Sequence, residues 1–157
     1  MRSIAPIFSY VKALLMVGLV LGVAACARTP NGGPVGEATP GSQQEFLVTI
    51  GDRVFFDTDS SVINAAGQAT LTKQAAWLNK YPQFRITIEG HADERGTREY
   101  NIALGARRAA AAVNFLVSRG VSANRISSKS YGKERPVAIC NDISCWSQNR
   151  RAVTVLN

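Results

Sequence analysis

The segment GHADERGTREYNIALGARRA, residues 90–109, gathers the only histidine of the chain, His91, with Asp93, Glu94, Glu99 and arginines at 95, 98, 107 and 108. Such a set could perform acid–base chemistry, hold a metal, or grip a charged ligand. A metal centre needs three or more ligands backed by outer-shell partners, and one histidine does not supply them. Two-carboxylate hydrolysis would draw on Asp93 with Asp57, Asp59 or Glu94. No serine sits in a nucleophile-elbow setting, and no cysteine pairs with His91 by spacing. The crowding arginines anchor charge and do not act as bases. The cluster therefore reads as a binding site, with no catalytic residue, metal or cofactor, and His91 as a hydrogen-bonded structural residue at a strand end.

The spacing says what such a site would bind. Asp93 lies just past an alternating run, Phe84 to Glu89, so a loop can present it beside a helix start. Arg108 follows 15 residues later, with Leu104 and Asn101 at i−4 and i−7 on its side of a helix. Leu104 points inward, which puts Arg108 at the edge of the core, where a guanidinium needs an acid or a ligand carboxylate. Asp57 and Asp59 follow the first strand. Were that strand beside the one preceding Asp93, carboxylates would face a guanidinium across a pocket, the complement of an amino-acid zwitterion. A plain Asp93–Arg108 ion pair is equally compatible with the spacing.

The positioning elements are legible in outline. FLVTIGDRVFFDTDSS reads as the first strand region, rich in β-branched and aromatic residues and punctuated by Gly51 and Asp57. Asn64 caps a helix with Leu71, Ala75 and Leu78 at helical spacing, and Pro82 stops it. Phe84, Ile86 and Ile88 alternate with polar residues as a half-buried strand. After Gly96-Thr97 a second helix runs to about Ser118, with Leu104, Ala111 and Phe115 along one side and Gly120 as C-cap. Arg125–Tyr131 and Arg151–Leu156 read as the last strands, separated by a loop carrying two cysteines. The order β-α-β-α-β-β predicts an α/β two-layer sandwich, with both helices on one face of a mixed four-stranded sheet.

Upstream, Arg2 and Lys12 precede an uncharged stretch from Ala13 to Ala25, then Cys26. Those 13 residues fall short of the roughly 20 that span a bilayer. Residues 1–25 therefore read as a signal segment, and Val23-Ala24-Ala25-Cys26 resembles the bacterial lipobox, whose cysteine is lipidated. Residues 26–44 follow as a Gly/Pro/Thr/Ser/Gln-rich tether with a root-mean-square span of roughly 24 Å, and residues 45–157 as the folded module. The formal charge of +7 drops once Arg2 and Lys12 are removed, and no run of five or more Lys/Arg occurs, so nucleic acid is not an expected partner. Cys140 and Cys145, in CNDISC, face an oxidising compartment and read as a local disulfide, with free thiols as the alternative.

VFFDTDSS, IEGHADERGTREYNIALGARRA, SKSYGKERPV and NRRAV together resemble the C-terminal OmpA-like peptidoglycan-binding domains, over about residues 53–155. The resemblance implies a grip on the meso-diaminopimelate end of the wall stem peptide. Asp59 and Asp93 would hold its ammonium and Arg108 its carboxylate, with Asn101, Ala92 and Asp57 as further binding residues. It implies no enzymatic activity, a lipid anchor at Cys26 in the outer membrane with the module facing the periplasm, and a Tol–Pal role in envelope integrity and cell division. TolB and other Tol proteins would be partners. Glu94, Arg95 and Arg98 would be rim residues, Arg107 solvent-facing, and Asn149-Arg150-Arg151 a support for the last strand. A cell-wall hydrolase or a stator-type wall anchor built on the same domain is the alternative. CNDISC departs from many relatives and would leave the binding site untouched.

Overall fold

The structure, a computed structural model, describes residues 38–157; the signal-like segment, Cys26 and the tether up to residue 37 lie outside the described residues. Strands β1 (Arg53–Phe55), β2 (Ile86–His91), β3 (Ile126–Gly132) and β4 (Arg151–Leu156) form one sheet in the order β1-β4-β2-β3. β4 runs antiparallel to both its neighbours, and β2 and β3 are parallel. Helices α1 (Ala65–Lys80) and α2 (Arg98–Ser118) pack on the sheet and on each other, giving the mixed-sheet sandwich expected from the element order. A short helix, α3 (Ile143–Asn149), precedes β4.

Local chemistry sets the helix ends. Asn64 accepts the Gly67 N–H at 2.9 Å to start α1, and Thr97 accepts the Tyr100 N–H at 3.2 Å to start α2. Gly120, at φ +90°, closes α2: its N–H reaches the Val117 carbonyl, and the Val121 N–H reaches the Leu116 carbonyl. That double bond pattern needs a left-handed residue after the cap, which glycine adopts without strain. Between the layers lie Phe46, Leu71, Leu78, Ile86, Ile88 and Leu116, all buried.

Three sequence expectations change. Phe46–Gly51 is a π-helical segment, and only Arg53–Phe55 is strand. Ser42 caps a preceding helical turn, Gln43–Glu45, and the Glu45 carboxylate accepts both the Gly41 N–H and Trp77 Nε1–H at 2.6 Å. Those bonds aim Phe46 into the core, 4.9 Å from the Trp77 ring, so packing overrides β propensity. On α2 the buried face is Asn101, Leu104, Gly105, Arg108, Ala109, Ala112 and Leu116; Ala111 and Phe115 sit at its margin. The region read as a cysteine-bearing loop contains α3, started by Asp142 accepting the Ser144 N–H at 2.7 Å. A disulfide joins Cys140 to Cys145, with Cα atoms 5.6 Å apart.

β2 and α2 touch backbone to backbone where Gly90 faces Gly105; a Cβ on Gly90 would overlap the Gly105 carbonyl oxygen. This approach brings Arg108 beneath the end of β2. Gly90→Ala forces the helix off the sheet, so the expected loss of stability is about 2–4 kcal/mol, read as a lowered urea midpoint. An unchanged midpoint would mean that the contact yields freely.

Candidate functional site

Arg108 is 0% exposed, the largest fully buried side chain among the described residues. Its Nε donates to the Ser60 carbonyl at 2.8 Å, one terminal nitrogen to the His91 carbonyl at 2.9 Å and the other to the Asp57 carbonyl at 3.2 Å. The guanidinium lies 5.2 Å from the Phe56 ring. One side chain thus ties the end of β2 to the 57–60 turn that follows β1. Burial pulls its pKa down to about 10, against the opposing pull of Asp93 and Asp59, so it stays charged at neutral pH.

Above it an open cavity of about 260 Å³ is lined by Thr58, Asp59, Asp93, Arg95, Gly96, Tyr100, Asn101 and Leu104. Asp93 is nearly buried, at 7% exposure. Its Oδ1 accepts the Arg95 main-chain N–H and Nε–H, both at 3.2 Å; its Oδ2 accepts an Arg95 terminal N–H at 2.7 Å and one from Arg150 at 3.4 Å. Burial pushes the carboxyl pKa up, but hydrogen bonds and charge from Arg95, helped by Arg150, outweigh it and hold the pKa below its usual value. Asp59 is exposed, adopts φ +56°, and accepts the Tyr100 hydroxyl hydrogen. Asn101 is buried and donates from Nδ2 to the Arg95 carbonyl at 2.7 Å, bracing the loop that carries Asp93. Lys133 braces the same loop from β3's far end, through the Glu94 and Gly96 carbonyls.

The strand ends meet, though not by the arrangement that spacing suggested. β1 and β2 are not neighbours; β4 lies between them. Arg150, just before β4, fills the gap: its Nε donates to the Phe56 carbonyl at 3.0 Å while its other arm reaches Asp93. Asp59, Asp93 and Asn101 share the cavity, and Arg108 lies under it, covered by the 57–60 turn. Asp93 and Arg108 make no direct hydrogen bond; each takes other partners. Ala92 is buried and its N–H is bonded to the Gly132 carbonyl at 2.8 Å, so it shapes the strand end. Asp57 supplies its carbonyl to Arg108, and the residue lines a separate depression with Phe55, Asn64 and Arg150.

Arg150, Tyr100 and Trp146 were missed as site residues. The polar Asn-Arg-Arg before an apolar strand was a signal for Arg150, because a charged pair at a buried strand start needs a carboxylate nearby. Trp146 carried no signal, since its neighbours come from a distant loop: Arg95 lies over its ring at 4.2 Å, and its Nε1 donates to Glu94 at 3.1 Å. The residue that reaches the site, Trp146, comes directly after CNDISC and on the helix that the disulfide staples. Among the described residues no group of three or more His, Cys, Asp or Glu is placed to hold a metal.

All of these residues fall within residues 55–150, which match the model of the OmpA family. A protein of Mesorhizobium japonicum described as a peptidoglycan-associated lipoprotein is 63% identical over 153 residues, covering 91% of this chain and 91% of its own length. A Rhizobium meliloti protein of the same description is 65% identical over 149 residues, covering 92% of this chain and 85% of itself. Among solved structures, the peptidoglycan-associated lipoprotein from Burkholderia pseudomallei matches with TM-score 0.66 and 44% identity, covering 68% of this chain and 90% of that one. The C-terminal domain of Helicobacter pylori MotB matches with TM-score 0.63 and 25% identity, over 68% of this chain and 84% of that one.

His91 is buried at the strand end, but neither ring nitrogen has a hydrogen-bond partner; the ring stacks against Tyr131 at an interplanar angle of 24°, centroids 5.6 Å apart. Its structural role is thus packing, with its carbonyl as an anchor for Arg108. Burial first, then the charges of Arg151, Arg135 and Arg53, lower its pKa to about 4, so the 3.8 Å approach of Glu89 is no ion pair at neutral pH. The folded pKa is depressed, so the unfolded chain binds the extra proton. Stability from this group is whole above pH about 6.5 and is lost as pH falls toward 4. Urea midpoints of the parent chain should drop over that window by the equivalent of about 3 kcal/mol, and His91→Phe should remove that share of the slope. Identical slopes would show that His91 does not titrate on unfolding.

Proposed function

The chain belongs to the OmpA family, among its peptidoglycan-associated lipoproteins, and from that premise we propose how it holds the wall. It is an envelope lipoprotein that binds peptidoglycan non-covalently, and it is not an enzyme. The ligand group we assign is the zwitterionic end of the meso-diaminopimelate stem peptide. Supporting this is one observation: two buried guanidiniums, Arg108 and Arg150, lie beside a single nearly buried carboxylate, Asp93, so positive charge exceeds negative among the buried groups next to the cavity. Unpaired buried charge is costly, and an incoming carboxylate offsets it.

The ammonium then takes the acids at the cavity wall, Asp93 and Asp59. The carboxylate is drawn towards Arg108, which has five N–H groups and three carbonyl partners. A carboxylate that takes the place of the Asp57 or Ser60 carbonyl exchanges a neutral hydrogen bond for a charge-assisted one, roughly twice as strong. Asn101 keeps the Asp93 loop in register, and Ala92 shapes the strand end; Asp57 acts through its carbonyl. Lipidation at Cys26 places the anchor in the outer membrane, with the tether letting the module reach the wall. Docking of Tol proteins, TolB among them, on an overlapping surface completes the proposed role. The high-identity relatives reported above are described as peptidoglycan-associated lipoproteins, which favours the lipoprotein reading over a hydrolase or stator.

The experiment is cosedimentation with purified sacculi. Asp93→Asn and Asp59→Asn should each weaken binding at least about tenfold, because an ammonium loses its charged partner. Circular dichroism and the urea midpoint report whether each variant is folded. Wall binding at parent strength by both folded variants would exclude this site. Arg108→Ala behaves differently: it orphans the buried His91 carbonyl, frees the partly buried Asp57 and Ser60 carbonyls and leaves a void, so its first effect is a stability loss of about 3–5 kcal/mol.

A further inference from the structure

Asp93 receives the ligand's ammonium in the proposed wall-binding role, and the cation exchange inferred at Arg95 rests on that role. The chain already supplies this carboxylate with a cation at the cavity mouth. The Arg95 guanidinium spans both Asp93 oxygens, at 3.2 and 2.7 Å, and its side chain is 41% exposed. It occupies the position that a ligand ammonium would take. Arg150 also contacts Asp93, but it is buried and bonded to the Phe56 carbonyl, so it belongs to the frame.

Arg95 is held from its other side as well. Trp146 stacks on it at 4.2 Å and is itself fixed by its bond to Glu94. Trp146 comes directly after Cys145, in a short helix with Asp142 at its start and the Cys140–Cys145 bond as a staple. Nothing in wall-peptide chemistry requires a tryptophan there; its contacts go to the two charged residues that flank the mouth.

We propose that Arg95 is an internal competitor for Asp93, positioned by Trp146, and that wall binding is an exchange of one cation for another at that carboxylate. The exchange sets specificity. A bare ammonium, such as a lysine side chain, offers Asp93 nothing that Arg95 does not already give. A zwitterion brings a carboxylate to the buried guanidiniums at the same time, so it displaces Arg95 where an amine cannot. Arg95 is thus a specificity-determining residue, and Trp146 a positioning residue that acts through it.

The test is calorimetry on the full chain in detergent, with free meso-diaminopimelate, the carboxylate-free diamine 1,5-diaminopentane and pimelate as probes. Arg95→Gln should tighten diaminopimelate binding about threefold to tenfold, and Trp146→Ala about threefold, the scale of an ion pair and of a stacked cation at an exposed position. The diamine should gain more than diaminopimelate from Arg95→Gln, narrowing the selectivity, while pimelate, without an ammonium, gains nothing. Trp146→Phe keeps a ring under the guanidinium and should stay near the parent. A residue that only supported the fold would weaken every probe when changed. Parent chain that binds diaminopimelate, with either Arg95→Gln or Trp146→Ala unchanged or weaker, overturns the competitor. Parent chain that binds diaminopimelate no better than pimelate overturns the site assignment itself.

Discussion

A fully buried guanidinium is the constraint that organises this module. Arg108 cannot shed its charge at neutral pH and cannot reach water, so the chain must bring carbonyls to it. Those carbonyls come from the end of β2 and from the turn after β1, segments that are not strand neighbours. The glycine contact between β2 and α2 lets the helix come close enough for this, and Asn101 and Leu104 share the inward face. The loop geometry of the cavity is therefore set by satisfying one cation.

The same electrostatics suit the cavity to the binding role proposed for it. Each of these ionisable groups already has a partner within the chain: Arg108 and Arg150 in the frame, Asp93 between Arg150 and Arg95, Asp59 with Tyr100. His91, the one side chain suited to proton transfer near pH 7, is neutral and packed under the strand end. What remains is an excess of buried positive charge beside acids at the rim. In the proposed role that arrangement suits a head group carrying both signs, and a single-sign ligand satisfies only part of it.

Much of this could be read from the chain. Both long helices were legible because their starts carry Asn64 and Thr97 and their stops carry Pro82 and Gly120, all local signals. The grouping of Asp59, Asp93 and Asn101 came from strand-end and helix-face spacing joined to a family likeness. Other features were hidden for physical reasons. Phe46–Gly51 looks like strand because its residues are β-branched, yet a distant Trp77 decides its conformation. The insertion of β4 between β1 and β2 is a non-local pairing that periodicity does not report. Arg95 pairing with Asp93 two residues earlier depends on a loop path, to which helical spacing does not apply. Arg108 was expected at the rim of the core and lies wholly inside it, because helix spacing gives a side and not a depth.

Wall binding by this route requires Asp93 to change partners while Arg108 keeps its place. Nitrogen-15 spectra of the arginine Nε–H groups, recorded as a diaminopimelate stem peptide is added, report on both residues directly. At saturation the Arg95 resonance should move away from its carboxylate-bound shift and exchange faster with water, while the Arg108 resonance stays protected. An Arg95 signal still bound to Asp93 in the saturated complex would contradict the exchange.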